Sequence, residues 1–256
     1  MNVYVQENQP PGVPPLSLTG ERTLPDVPAE NYWYRRHLAV YEWIGARVAG
    51  KRVLDMACGE GYGSEVLWRS AASVVGVDAN PEAHEHAKVR YSRQNLSFER
   101  GLVETYGEPG SFDAVVFLQT IEHVHDPAAV LAHFNSLLSP RGVAYISTPN
   151  VLTLAPPGAQ KSDNPWHLKE YRAEEFSTLC RGVFDDVDVY GLFHARKLRL
   201  HALALKLGWD AVHQRLKLTK PFYDWFTPAI AASDFVLADR DDLDPALDLI
   251  AVCRAT

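Results

Sequence analysis

One stretch constrains this chain more than any other: Val53-Leu54-Asp55-Met56-Ala57-Cys58-Gly59-Glu60-Gly61-Tyr62-Gly63. The apolar run after Arg52 reads as a buried strand, the glycines mark a tight turn, and the spacing of Val66 and Leu67 starts a helix. Glycine lets a ligand lie against bare backbone and adopts positive φ at no steric cost. The first amides of the helix lack intrahelical partners and suit a carboxylate or phosphate. Such a strand–loop–helix unit is a nucleotide site, the alternative being a structural turn in another α/β fold.

The glycines run G-x-G-x-G, not the G-x-G-x-x-G of dinucleotide-binding folds, which argues against an NAD-binding oxidoreductase. The next strand, Val74-Val75-Gly76-Val77-Asp78, ends in a carboxylate 19 residues after Gly59, placed to grip both hydroxyls of a ribose. Asp55 with Gly59 and Gly61 resembles motif I of the class I S-adenosylmethionine (SAM) methyltransferases. The resemblance implies a Rossmann-like α/β fold: a seven-stranded, mostly parallel sheet with an antiparallel last strand, an N-terminal lid helix and a helical insertion before the last strand. It implies SAM along the loop at Asp55, Ala57, Gly59 and Gly61. The ribose would lie on Asp78 beside Ala79, the adenine between Leu102 and Val103, and Leu118 and Gln119 would close the site at the fourth strand end. Related enzymes often carry an acid where this chain has Leu102.

At 256 residues the chain suits one α/β domain with an insertion. Its net charge of −7 lacks the basic surplus of a general nucleic-acid binder. No apolar run has the length to span a bilayer, no leader is evident, and three widely spaced cysteines fit a reduced, cytoplasmic protein. Residues 1–20 are proline-rich and read as an extended, poorly ordered arm, leaving 21–256 as the domain. Trp33, His37, Val40, Tyr41, Ile44 and Val48 follow a 3.6-residue period, so a helix starts near Glu30. The family resemblance makes this the lid helix and implies that Arg36 or His37 supplies a cation for the methionine carboxylate; a solvated charged face is the alternative. Asn80-Pro81-Glu82 starts another helix, as N-cap, N1 residue and first-turn acid. Residues 192–245 read as a helical insertion that chooses the acceptor, its aromatics from Trp209 to Phe226 lining a pocket or forming its own core.

The fourth strand, Phe112–Leu118, is nearly continuous in apolar residues, as a strand buried on both faces should be. Just beyond its C-terminal end stand Glu122 and His123. His123 suits a general base for an acceptor hydroxyl. Alternatively Glu122, His123 and Asp126 hold a divalent cation, with oxygen-rich ligation favouring Mg²⁺. His167, on the long loop after strand five, is a further catalytic or ligating candidate. Each also has a purely structural reading.

Ile121-Glu122-His123-Val124 with Asp126-Pro127 is similar to the ubiquinone-biosynthesis O-methyltransferases, in some of which the corresponding acid and histidine bind a metal; one of their acidic positions is Gln119 here. Thr19-Gly20-Glu21-Arg22-Thr23, Ser147-Thr148-Pro149-Asn150, Asn164-Pro165-Trp166-His167 and Gly191-Leu192-Phe193-His194 resemble actinobacterial sugar O-methyltransferases of polymethylated-polysaccharide synthesis. That resemblance implies methylation of a sugar or oligosaccharide hydroxyl, the anomeric one included, with Mg²⁺ assistance. A catechol or quinone acceptor and a non-catalytic SAM-binding scaffold are the alternatives, and assembly as a homodimer is left open.

Overall fold

The computed structural model describes residues 9–17, 22–156 and 158–255. An eight-stranded sheet comprises β1 (Arg52–Met56), β2 (Ser73–Asp78), β3 (Leu96–Arg100), β4 (Phe112–Leu118), β5 (Leu138–Pro149), β6 (Asp186–His194), β7 (Phe235–Ala238) and β8 (Asp248–Arg254), in the order β3-β2-β1-β4-β5-β8-β6-β7. The first five strands in that order pair in parallel, and β8 runs antiparallel to both β5 and β6. The helices are α1 (Asn31–Gly45), α2 (Tyr62–Trp68), α3 (Pro81–Arg90), α4 (Pro127–Leu137), α5 (Val151–Leu154), α6 (Ala173–Arg181), α7 (Arg196–Lys206), α8 (Trp209–Leu216) and α9 (Thr219–Phe226).

Period-2 alternation sends each strand's side chains to two cores. On β4, Ala114, Val116 and Leu118 join one core with Tyr41 and Ile44 of α1 and Leu67 of α2. Val115 and Phe117 join the other with Phe134 of α4 and Phe176 of α6. Both faces are covered, which is why the β4 sequence does not alternate apolar with polar.

The eighth strand corrects the expectation of seven. Residues Phe235–Ala238 lie within the stretch read as helical, and pair antiparallel with Gly191–His194. The helical part is confined to α7–α9. Residues 9–17, part of the arm read as extended and poorly ordered, form no helix or strand and contribute Leu16, which is buried with Leu24 and Val27. The Pro14 carbonyl there accepts a hydrogen bond from His86 at 2.7 Å. The rest of the expected arm, 1–8 and 18–20, lies outside the described residues.

Candidate active site

Register places the site. Met56 of β1 stands level with Val77 of β2 and Phe117 of β4, so Ala57, Asp78 and Leu118 emerge side by side at the C-terminal sheet edge. The chain turns there through left-handed conformations: Ala57 has φ +57°, Gly59 +57° and Gln119 +51°. Two non-glycine residues held in that region flank one cavity, a strain of the kind that collects at binding sites. Gln119 is pinned by Ser147, whose Oγ accepts from its amide N–H at 3.2 Å and from its side-chain amide at 3.0 Å.

The three glycines have different jobs. A Cβ on Gly59 would enter open space, and Gly59 lines the cavity with Ala57, Leu118 and Gln119. A Cβ on Gly61 would meet Ala87 at 2.8 Å, and one on Gly63 would meet the Tyr41 ring at 2.1 Å. Gly61, expected at the cofactor, thus serves helix packing and begins α2 with φ +95°. The amide of Tyr62 is occupied by the Glu60 carboxylate at 3.1 Å.

Asp55, also expected at the cofactor, is fully buried and accepts from Ser64 Oγ at 2.6 Å and Tyr41 OH at 3.2 Å. Burial pushes its pKa up to about 7. It braces β1, α2 and the lid helix α1 together. Asp78 accepts from the Gly59 amide at 2.8 Å and the Asn80 amide at 2.8 Å, and its oxygens retain lone pairs for ribose hydroxyls. Leu102 is 57% exposed just beyond β3, Val103 is half-buried, and Ala79 is exposed after Asp78.

The cation expected from Arg36 is committed elsewhere. Arg36 is buried, and its guanidinium donates to both oxygens of Asp248 at 2.7 and 2.5 Å and to the Leu247 carbonyl at 2.6 Å. His37 lines the cavity, but burial lowers its pKa to about 4, so its ring is neutral at pH 7. Arg22 fills the gap. It lines the same cavity, and its Nε and Nη1 are buried without a hydrogen-bond partner among the described residues. Arg22 stood within a recognisable motif, but sequence reasoning assigned it no role.

A second cavity, of about 260 Å³, shares Arg22, Thr23, His37 and Gln119 with the first and is closed by Trp33, Glu122, His123 and His167. Its far wall is a stapled loop. The amides of Leu168 and Lys169 donate to the Glu122 carbonyl at 2.9 and 3.2 Å, and His123 Nδ1 bonds the Trp166 carbonyl at 3.0 Å. These bonds bring His167 against His123, ring centroids 4.9 Å apart. His167 Nδ1 bonds Glu170 at 2.6 Å, and its Nε2 accepts from Asn164 at 2.9 Å. Glu170, which the sequence did not single out, is itself held by the amide and hydroxyl of Ser162. Glu122 is 1% exposed, its Oε2 has no partner, and burial raises its pKa to about 8.

One donor atom each from Glu122, His123 and His167 lies within 4.8 Å of the others. Asp126, expected as a ligand, is exposed and caps α4 by accepting from the Ala129 amide at 3.0 Å. The pair Asp126-Pro127 is itself an N-cap and N1 signature, so the sequence carried that reading.

The fold and site define a Rossmann-like methyltransferase of the SAM-dependent class, and the residues fit that cofactor: Gly59 bare, Asp78 at the strand end, and Arg22 with two buried nitrogens unpartnered among the described residues. Comparison with known proteins agrees. Residues 32–203 match a family described as a methyltransferase domain. A probable S-adenosylmethionine-dependent methyltransferase of Mycobacterium tuberculosis is 36% identical over 247 residues, covering 93% of this chain and 89% of that one. A ubiquinone biosynthesis O-methyltransferase of Xanthomonas campestris is 37% identical over 129 residues, 46% of this chain and 54% of that one. A solved Thermotoga maritima SAM-dependent methyltransferase, possibly a histamine N-methyltransferase, superposes with a TM-score of 0.61 over 89% of this chain and 94% of that chain. At 13% identity that last likeness concerns the fold alone. The chain belongs to the SAM-dependent methyltransferase family.

Proposed function

We propose that the chain is an O-methyltransferase that methylates a hydroxyl of a polyhydroxylated acceptor, a sugar or oligosaccharide. The observation that carries this reading is the Glu122–His123–His167 cluster on a cavity continuous with the glycine loop. SAM supplies the methyl group. Arg22 takes the methionine carboxylate, a charge-assisted pair in a buried setting. Asp78 takes the ribose. Donation from His123 Nδ1–H to Trp166 leaves the Nε2 lone pair to take the acceptor hydroxyl's proton as the new O–C bond forms and the sulfonium S–C bond breaks, releasing S-adenosylhomocysteine. The Glu170 carboxylate fixes the His167 ring, whose Nε2 accepts from Asn164, so His167 positions rather than takes the proton. The Trp33 ring, 41% exposed at this cavity, offers a face for a sugar, and the wall's many hydrogen-bonding groups favour a saccharide over a quinone.

The unpartnered Glu122 Oε2 supports a second reading of the same cluster. Glu122, His123 and His167 would hold a divalent cation that lowers the hydroxyl pKa. One carboxylate and two imidazoles suit manganese or zinc better than Mg²⁺, which prefers oxygen ligands throughout.

The deciding experiment is methyl transfer from labelled SAM to short oligosaccharides and to catechols, with and without chelator. Transfer to saccharide supports the proposal, and transfer confined to catechols overturns the acceptor class. Loss of transfer with chelator selects the cation reading.

A further inference from the structure

The α7–α9 segment carries a surface that neither the fold nor the methyl-transfer site uses. Within α7, Leu198 is 3% exposed and packs inward, whereas Leu200, Leu203 and Leu207 are 69%, 54% and 80% exposed. Their i, i+3, i+7 spacing puts them on one stripe, on the side of the helix away from Leu198. In α8, Trp209, Val212 and Leu216 repeat that spacing and, with Leu218, Phe222 and Trp225, line an apolar groove of about 340 Å³. Trp225 is 69% exposed. Phe222 forms the floor of that groove and ties it to the inner packing, stacking on His201, which lies 4.6 Å from Phe226 between ring centroids. Eight of the fifteen large apolar side chains exposed among the described residues fall between Leu200 and Trp225.

Charge says what covers them. The chain has a net charge of −7, yet residues 196–226 hold seven Lys and Arg against two Asp, and five of those cations remain after Lys197 pairs with Asp234 and Lys220 with Asp224. Arg199 and Lys206 flank the leucine stripe of α7 and Arg215 flanks that of α8; all three are exposed. A second copy would oppose this positive surface to itself. An anionic bilayer offers both complements, headgroup charge for the cations and acyl chain for the leucines and tryptophans.

We propose that α7–α9 is an interfacial anchor that docks the enzyme on an anionic lipid membrane without spanning it. No helix among the described residues is long and apolar enough to span one. The anchor is tied to the site: the Asn31 side chain at the start of α1 donates to the Thr227 carbonyl at 2.8 Å and the Ile230 carbonyl at 3.0 Å, two residues before Trp33 on the acceptor cavity. Docking would present that cavity to acceptors near the lipid surface. The inference is independent of which acceptor is used.

The test is sedimentation of the full chain with vesicles of phosphatidylcholine alone or mixed with phosphatidylglycerol, followed also by tryptophan quenching with brominated lipids. The expected result is binding to the anionic vesicles, weakened several-fold on raising salt from about 50 to about 500 mM. Lys206→Glu with Lys217→Glu should cost about tenfold or more, and Leu203→Glu or Trp225→Ser should remove binding and quenching. All these positions are exposed, so S-adenosylhomocysteine affinity should be unchanged and reports that the fold is intact. Three results would overturn the proposal: no binding to anionic vesicles at low salt, binding indifferent to these substitutions, or a solution dimer dispersed by Leu203→Glu, which would make a second copy the occupant.

Discussion

The guanidinium of Arg36 lies against the Asp248 carboxylate in a buried two-point ion pair, both side chains at most 5% exposed. It bolts the lid helix to the last strand, and it withdraws from the cofactor the cation that the sequence placed there.

Arg36→Ala and Arg22→Ala should therefore fail in different ways. Losing Arg36 strands a buried carboxylate and should cost about 3–5 kcal/mol of stability, read by denaturant unfolding. Among the described residues the Nε and Nη1 of Arg22 have no hydrogen-bond partner, so its loss should leave stability nearly unchanged. Affinity for S-adenosylhomocysteine should fall about ten- to hundredfold, the worth of one charge-assisted bond. Affinity for 5′-methylthioadenosine, which lacks the carboxylate, should not change.

Glu122 makes a prediction about pH. Its pKa is about 8 in the folded chain and near 4.5 when unfolded. Between those values the folded state holds a proton that the unfolded state has released, so this group's contribution to stability falls as pH rises through the window. Glu122→Gln should flatten the decline in the melting temperature of the ligand-free chain between about pH 5 and pH 8 and melt no lower than wild type at the upper end. Asp55, raised to about 7, adds a decline of the same sign that the variant retains. A steeper decline in the variant would contradict the assignment.

Glu170→Gln probes the orientation of His167. The amide removes the carboxylate that fixes the ring at 2.6 Å. Turnover should drop about ten- to hundredfold with S-adenosylhomocysteine affinity intact, and titration with Mn²⁺ or Zn²⁺ should show weaker binding if the cluster holds a cation.

The sequence carried the fold where local chemistry and topology coincide. Asp55, the glycines and Asp78 announce two adjacent parallel strands and a crossover, and the apolar run of Phe112–Leu118 announces the central strand. It did not carry β7, because four residues at a sheet edge have too short a period to read, and Val236 there is 41% exposed. The candidate catalytic pair was legible because it follows a central strand end directly. Arg22 and Glu170 were not: Arg22 matters by facing the loop at Ala57–Glu60, and Glu170, though only three residues from His167, matters because their loop is stapled to Glu122. Between Arg36 and His37, pattern could not choose; burial and the Asp248 partner remove the first, and a pKa near 4 neutralises the second.

The central claim divides the site into a half that holds the cofactor and a half that does chemistry. The most direct measurement is calorimetric titration of S-adenosylhomocysteine into wild type, Asp78→Ala and His123→Ala, with methyl transfer assayed on the same preparations. The account predicts weakened binding in Asp78→Ala, and wild-type binding with turnover abolished in His123→Ala. Equal loss of binding in both variants, or turnover that survives without His123, would contradict it.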